Sequence, residues 1–185
     1  YPFKDPEDFR DIESIQAYKE WCANGRISHE DFWPCLRFKS RDNARTPVQW
    51  DDTEQAGFTS GTPWIAVNPN YREINAKKET ADPDSIFHYY KKLISLRKQN
   101  PIIVYGKYEL LFKDSEDLFV YTRTLENKKL LVVCSFSDRE TAFPIPEEFI
   151  GANCMISNTE NTYDTQTVTH RPYEAFVLQK PDSPQ

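Results

Sequence analysis

Hydrophobic and polar positions divide the chain into three stretches of different texture. From Tyr1 to about Ala81 the sequence is polar, aromatic and rich in turn residues. Within it only Ile12–Trp21 carries a helical period, with Ile15, Tyr18 and Trp21 along one face. After Gly25 neither the strand nor the helix period persists, which predicts roughly 50 residues of irregular chain. A loop of that length is uncommon in a compact domain unless it is functional or packs on something else. Trp21, Trp33, Trp50 and Trp64 fall in or beside it, so an ordered loop with its packing partner elsewhere is expected.

The second stretch is a helix. Asp84 or Ser85 can cap it, and Ile86, Tyr89, Tyr90, Leu93 and Leu96 recur at helical spacing, which reads as a core-facing stripe. Lys91, Lys92, Arg97 and Lys98 suit the negative C-terminal end of the helix dipole, and Asn100-Pro101 stops the helix. From Ile102 onwards the pattern is strand and turn. Tyr108-Leu110-Phe112 alternates with polar residues, and Leu118–Thr124 and Lys129–Phe136 flank a hairpin turn at Glu126-Asn127-Lys128. Ala142–Ile145, Asn153–Ser157, Thr165–Val168 and Tyr173–Leu178 complete about seven short strands, a number and spacing that suit an antiparallel sandwich or Greek key. Tyr108, Leu110, Phe112, Phe119, Tyr121, Leu131, Val133, Phe136, Phe143 and Phe176 are its expected core.

Composition narrows the chemistry. The 185 residues carry a net charge of −6 and no dense basic run, which argues against a nucleic-acid partner. The longest apolar run is Leu130 to Cys134, far short of the roughly 18 residues of a membrane span. Only 5 glycines are present, and neither G-x-G-x-x-G nor G-x-x-x-x-G-K occurs, so no phosphate cradle or nucleotide cofactor is expected. Cys22, Cys35, Cys134 and Cys154 form no C-x-x-C pair, and His29, His88 and His170 do not complete a metal-ligand spacing. Cys134 in its apolar run suits a free buried thiol and a reducing cytoplasm, with two disulfides left open. A whole barrel enzyme of roughly 250 residues does not fit this length.

One string in the loop is specific. Ser40-Arg41-Asp42-Asn43-Ala44-Arg45-Thr46-Pro47-Val48-Gln49-Trp50-Asp51 is followed by Ala56-Gly57-Phe58-Thr59, Thr62-Pro63-Trp64-Ile65 and Asn68-Pro69-Asn70-Tyr71. With Phe9-Arg10-Asp11-Ile12-Glu13 upstream and Arg171-Pro172-Tyr173-Glu174-Ala175-Phe176 downstream, it closely resembles the C-terminal part of the glycoside hydrolase family 13 α-glucosidases. The likeness is to the group of oligo-1,6-glucosidases, dextran glucosidases and trehalose-6-phosphate hydrolases. It implies a mainly β chain with an α element. Residues 1–101 would be the last loop and helix of a (β/α)₈ barrel, and residues 102–185 a C-terminal antiparallel Greek-key β-sandwich. The loop's missing partner would then be the N-terminal barrel.

The resemblance also implies roles. The family's nucleophilic aspartate, its glutamate acid/base and its third aspartate near N-H-D lie upstream of the matched region. No N-H-D occurs here, so no catalytic residue is expected in this chain and it should be inactive alone. Asp51-Asp52 and Glu147-Glu148 are adjacent pairs that read as solvated charge, not as the two carboxyls about 5–5.5 Å apart of a retaining glycosidase. Arg41 would hold the terminal glucose of an oligosaccharide substrate, paired with an aspartate from the barrel's N-terminal part. The other reading is a loop arginine anchoring its own turn through Asp42. Glu13 would border the adjoining subsite, or else be an ordinary acidic helix residue. Arg45 and Trp50 read as loop anchors. Trp33 and Trp64 could stack on sugar faces, but burial that anchors the loop is the commoner use of tryptophan and is expected here, and Glu174 is expected to be a solvated or turn residue. A free-standing carbohydrate-binding or structural β module is the competing reading.

Overall fold

The computed structural model describes residues 1–163 and 166–180. The chain forms two compact units, residues 1–88 and 89–185. In the first, Asp11 caps helix α1 (Ile12–Tyr18), which continues into a π-helical segment at Lys19–Ala23. Ser28 then caps α2 (His29–Lys39), its side chain accepting the N–H of Asp31 at 3.1 Å. This helix corrects the expectation of an irregular loop after Gly25. Pro34 inside it reads as a helix breaker, yet tertiary packing tolerates it. Phe3, Phe9 and Leu36 are buried together, with Ile15, Tyr18, Phe32 and Trp33 packed around them. After α2 come one-turn helices and α3 (Ala76–Ala81), capped by Asn75. Their framework includes Trp50 N–H to the Ala56 carbonyl at 2.9 Å and Gln49 Nε2 to the Ile74 carbonyl.

Helix α4 (Ile86–Gln99) begins where Ser85 accepts the N–H of His88 at 3.4 Å. Its stripe is legible but uncovered: none of its residues is buried, and Tyr90 and Ile86 are exposed, against the expectation of core. The expected strand-and-turn pattern from Ile102 onwards is corrected at its start: a short helix α5 (Pro101–Tyr105) comes first, with Pro101 at its first position, where the missing N–H costs nothing. Arg123 closes this helix, donating from Nε and Nη2 to the carbonyls of Ile102, Val104 and Gly106 at 3.2, 3.2 and 2.8 Å.

Seven strands follow among the described residues: β1 (Lys107–Leu111), β2 (Leu118–Leu125), β3 (Lys128–Ser135), β4 (Thr141–Pro144), β5 (Asn153–Ser157), β6 (Thr167–His170) and β7 (Ala175–Gln179). Thr165, the expected start of β6, lies outside the described residues. A five-stranded antiparallel sheet runs β1-β2-β3-β7-β5, and β4 pairs with β6 in a second sheet. The β2–β3 turn closes on Leu125 opposite Lys128, with Glu126 in the left-handed region at φ 54°. One core joins Val120, Leu131, Val133, Phe176 and Leu178 of the larger sheet to Phe143 and Val168 of the smaller.

Register decides which apolar residues enter that core. On β2 it takes Val120 and Thr122, so Phe119 faces the other way and is 42% exposed; Tyr108, Leu110, Phe112 and Phe136 are exposed too. Leu131, Val133, Phe143 and Phe176 enter the core as expected, whereas Tyr108, Leu110 and Phe119 lie on the opposite parity of their strands, because in an antiparallel pair a shift of one residue exchanges the faces. Val133→Ala is therefore expected to cost roughly 1–4 kcal/mol and Phe119→Thr less than about 1 kcal/mol. Urea midpoints of the two variants check this, and equal losses would contradict the register.

Glu174 departs most from expectation: it is wholly buried. Its carboxylate accepts Thr159 Oγ1 at 2.6 Å, Tyr163 Oη at 2.7 Å, Asn161 Nδ2 at 3.0 Å and the Arg171 N–H at 2.8 Å. Burial pushes its pKa up, but these donors outweigh burial and hold the carboxyl below its ordinary value. Buried His170 lies with Nδ1 4.0 Å from Glu174, its ring stacked on Phe176. Among the described residues neither His170 nitrogen has a hydrogen-bond partner, and burial lowers its pKa while Glu174 opposes that shift.

Candidate functional site

The most elaborate charged cluster of the first unit joins the start of α1 to the Ser40–Arg45 motif. Ser40 closes α2, its N–H reaching the Leu36 carbonyl at 3.0 Å. Its hydroxyl then accepts the Asp42 N–H at 3.3 Å, which starts the single turn Arg41–Ala44. That turn points Asp42 inward and leaves Arg41 half-exposed. Asp42, fully buried, accepts the backbone N–H groups of Arg10 and Asp11 at 2.6 and 2.8 Å on one oxygen. Its other oxygen faces Arg45 Nη1 at 3.6 Å.

Asp11 returns the clasp. Its Oδ1 accepts Arg41 Nη2 at 2.6 Å and Nε at 3.1 Å, and Oδ2 accepts Ser14 Oγ at 2.9 Å and the Arg41 N–H at 3.3 Å. The Asp11 side chain is only 3% exposed. Its hydrogen bond from Arg41 lowers the carboxyl to a pKa of about 2 against the opposing effect of burial, and Ser14 adds to the lowering. Asp11 therefore stays ionised across the neutral range. Glu13, in the first turn of α1, reaches Arg41 Nη2 at 3.5 Å from solvent, with its side chain 78% exposed.

Both expected site residues, Arg41 and Glu13, thus meet at one guanidinium. The alternative reading, Arg41 anchoring its own turn through Asp42, is corrected: Asp42 clamps the backbone of Arg10 and Asp11, and the carboxylate within this chain that grips Arg41 is Asp11. Sequence reasoning passed over Asp11. Its signal was only local, an aspartate at a helix start three residues before a serine. Among the described residues the hydrogen bonds of the Arg41 guanidinium run from Nε and Nη2 to Asp11. Arg45 anchors the loop, as expected. Trp50 does so through its backbone, whereas its ring is exposed, and Trp64 is 66% exposed instead of buried. Trp33 packs edge-on to Phe9 at 5.8 Å.

Asp51 accepts the Thr53 N–H at 2.9 Å, as a turn carboxylate does, and Glu148 pairs with Lys129 at 2.7 Å. Among the described residues no group of three or more His, Cys, Asp or Glu is placed to hold a metal, and no helix is long and apolar enough to cross a membrane.

Residues 15–106 match the family model described as "Alpha amylase, catalytic domain". The chain belongs to the alpha-amylase family. Over 95% of its length it is 48% identical to an oligo-1,6-glucosidase of Parageobacillus thermoglucosidasius, of which it covers 32%. It is 44% identical to a trehalose-6-phosphate hydrolase of Bacillus subtilis strain 168, covering 97% of this chain and 33% of the relative. Among solved structures it is similar to the Bacillus licheniformis trehalose-6-phosphate hydrolase, with a TM-score of 0.88 at 42% identity over 96% of this chain and 33% of that one. It is also similar to an isomaltulose synthase of Erwinia rhapontici NX5 in complex with its natural substrate sucrose, with a TM-score of 0.90 at 37% identity over 98% of this chain and 33% of that one. The chain spans about a third of the length of these family members.

Proposed function

We propose that the chain is the C-terminal part of an α-glucosidase that hydrolyses α-1,6-linked or related glucosides from the non-reducing end. Arg41 and Glu13 contact the sugar in the complete protein. The observation that carries this is the 48% identity to an oligo-1,6-glucosidase across 95% of the chain. In this reading the first unit and α4 are the last loop and helix of a (β/α)₈ barrel, and the two antiparallel sheets form a Greek-key β-sandwich. Exposed Phe38, Val48, Trp50, Phe58 and Trp64 in the first unit support a barrel as their missing partner, since so many exposed apolar residues imply a covering surface. Four free thiols support a cytoplasmic location.

The carboxylates around Arg41 do not substitute for a catalytic pair. Asp11 is held ionised at a pKa of about 2, too low for a general acid at neutral pH. The isolated 185-residue chain is accordingly expected to show no turnover of p-nitrophenyl-α-glucoside or isomaltose, whereas the complete protein containing it does hydrolyse them. Chromogenic and glucose-release assays of both, purified free of host glucosidases, provide the test. Turnover by the isolated chain would overturn the reading. So would an inactive complete protein, and titratable binding of maltose or isomaltose to the isolated chain would favour a carbohydrate-binding module.

A further inference from the structure

We propose that His170 and Glu174 form an acid-released latch: protonation of the buried imidazole draws the Glu174 carboxylate off its donors and frees residues 159–162 while both sheets stay folded. The carboxylate is saturated. Its Oε1 accepts Thr159 Oγ1 at 2.6 Å, Tyr163 Oη at 2.7 Å and Asn161 Nδ2 at 3.0 Å, and Oε2 accepts the Arg171 N–H at 2.8 Å and Asn161 Nδ2 at 3.3 Å. A carboxylate offers about four lone-pair sites, so a fifth donor enters only by displacing one of these. His170 is the donor left out. It is fully buried, stacked on Phe176 and edge-on to Phe143, with Nδ1 4.0 Å from Oε2. A neutral imidazole tolerates that gap, whereas a buried imidazolium needs an acceptor. The ring is wedged between two phenylalanines, so the carboxylate is the partner that moves. Closing the gap to a charged hydrogen bond shifts it by about 1 Å, which takes Thr159 and Asn161 out of range. They then keep only the Ser157 hydroxyl at 3.5 Å and the Thr169 carbonyl at 3.3 Å.

The release is bounded. On one side Asn158 donates to the Tyr173 carbonyl at 2.9 Å and accepts the Ala175 N–H at 2.8 Å; on the other, Tyr163 keeps Ser157 Oγ at 2.7 Å and its place on Phe176. Other titratable groups near the pair hold their charge at mildly acid pH. Burial pushes Tyr163 up to about 12 and also raises the Cys154 thiol of β5, which senses Glu174. In the latched form burial lowers the pKa of His170, and in the released form the imidazolium gains the carboxylate. The released form therefore takes up the proton first. Its population grows as pH falls below the ordinary imidazole value of 6.5, by at most about tenfold per pH unit.

Residue-resolved hydrogen exchange on the complete protein, corrected for the intrinsic pH dependence of exchange, provides the test. The range from about pH 7.5 to 5 lies above the titration of Glu174. Over it, exchange of the Thr159 and Arg171 amides should rise about 10-fold, while the amides of β3 and β7 stay unchanged. His170→Gln keeps a polar side chain that takes up no proton, and it should abolish the rise. His170→Leu carries the same comparison if His170→Gln melts abnormally. Equal acid responses in the two amides and the strands would mean that His170 acts only on global stability, and the latch falls. It falls equally if wild-type Thr159 and Arg171 show no response, a result that needs no variant. A response that survives in a folded His170 variant would assign it to another group and overturn the proposal.

Discussion

Replacing Arg41 by Ala in the complete enzyme is expected to lower kcat/KM on α-glucosides by about 10- to 100-fold, a loss of roughly 1.5–3 kcal/mol for a hydrogen bond from a charged donor. Nε and Nη2 are committed to Asp11, and a guanidinium so gripped by a carboxylate still has donors for a sugar hydroxyl. Removing the guanidinium also leaves Asp11 buried without its main cation. Three remaining donors, the N–H groups of Arg41 and Glu13 and the Ser14 hydroxyl, still hold that carboxylate, and Arg45 lies 4.0 Å away. The stability cost should therefore stay below the roughly 3–5 kcal/mol of breaking a fully buried pair. Arg41→Lys keeps the charge but replaces a planar fork by a point donor, so it should not restore activity. Asp11 has its folded pKa lowered, so its contribution to stability is complete above its ordinary 3.8 and lost only as pH falls towards about 2. The kinetic defect should accordingly be constant between about pH 5 and 8. Steady-state kinetics with parallel thermal melts decide the matter: normal melting with near-native kcat/KM in both variants would make Arg41 a loop anchor.

Glu174→Ala should be the most damaging single change in the β-rich unit, costing roughly 3–5 kcal/mol. It leaves the Arg171 N–H without this acceptor and leaves Thr159, Tyr163 and Asn161 only their secondary partners, Ser157 Oγ for the first two and the Thr169 carbonyl for the third. Tyr163 packs on Phe176, with ring centroids 4.0 Å apart, so the defect reaches the hydrophobic core directly. Glu174→Gln preserves the shape and should recover part of the loss. The same cluster makes the unit acid-sensitive. His170 has its folded pKa lowered by burial, so the unfolded chain binds the proton first and stability falls as pH drops below about 6.5. Glu174 has its folded pKa lowered by its donors, so its contribution is complete above its ordinary 4.5 and is lost below it. Both shifts have the same sign, and the melting temperature should decline continuously from neutral pH into the acid range. His170→Leu should remove the upper part of that decline; an unchanged profile in this variant would show that His170 is not its source.

What the sequence by itself determined was whatever depends on neighbours along the chain. Leu125 and Lys128 close the predicted hairpin because a polar turn separates two β-branched and aromatic runs. Ser85 starts α4 because a hydroxyl before an apolar period is a local cap. The string from Ser40 to Asp51 pointed to the family because twelve ordered residues carry more information than any composition. Tertiary structure alone decided the rest. Helix α2 survives Pro34 because Leu36, Phe32 and Trp33 pack against Phe3 and Phe9, an energy that no local propensity contains. Val120 rather than Phe119 faces the core because pairing register, not side-chain size, sets the inward parity of a strand. Glu174 sits in a turn sequence that reads as solvated, and only the folded chain brings the donors of residues 159–163 around it. Asp11 and Arg41 are separated by thirty residues, and no periodicity links them. Their pairing exists because the fold buries a carboxylate at a helix start, where it must find a cation, beside the one loop that supplies it.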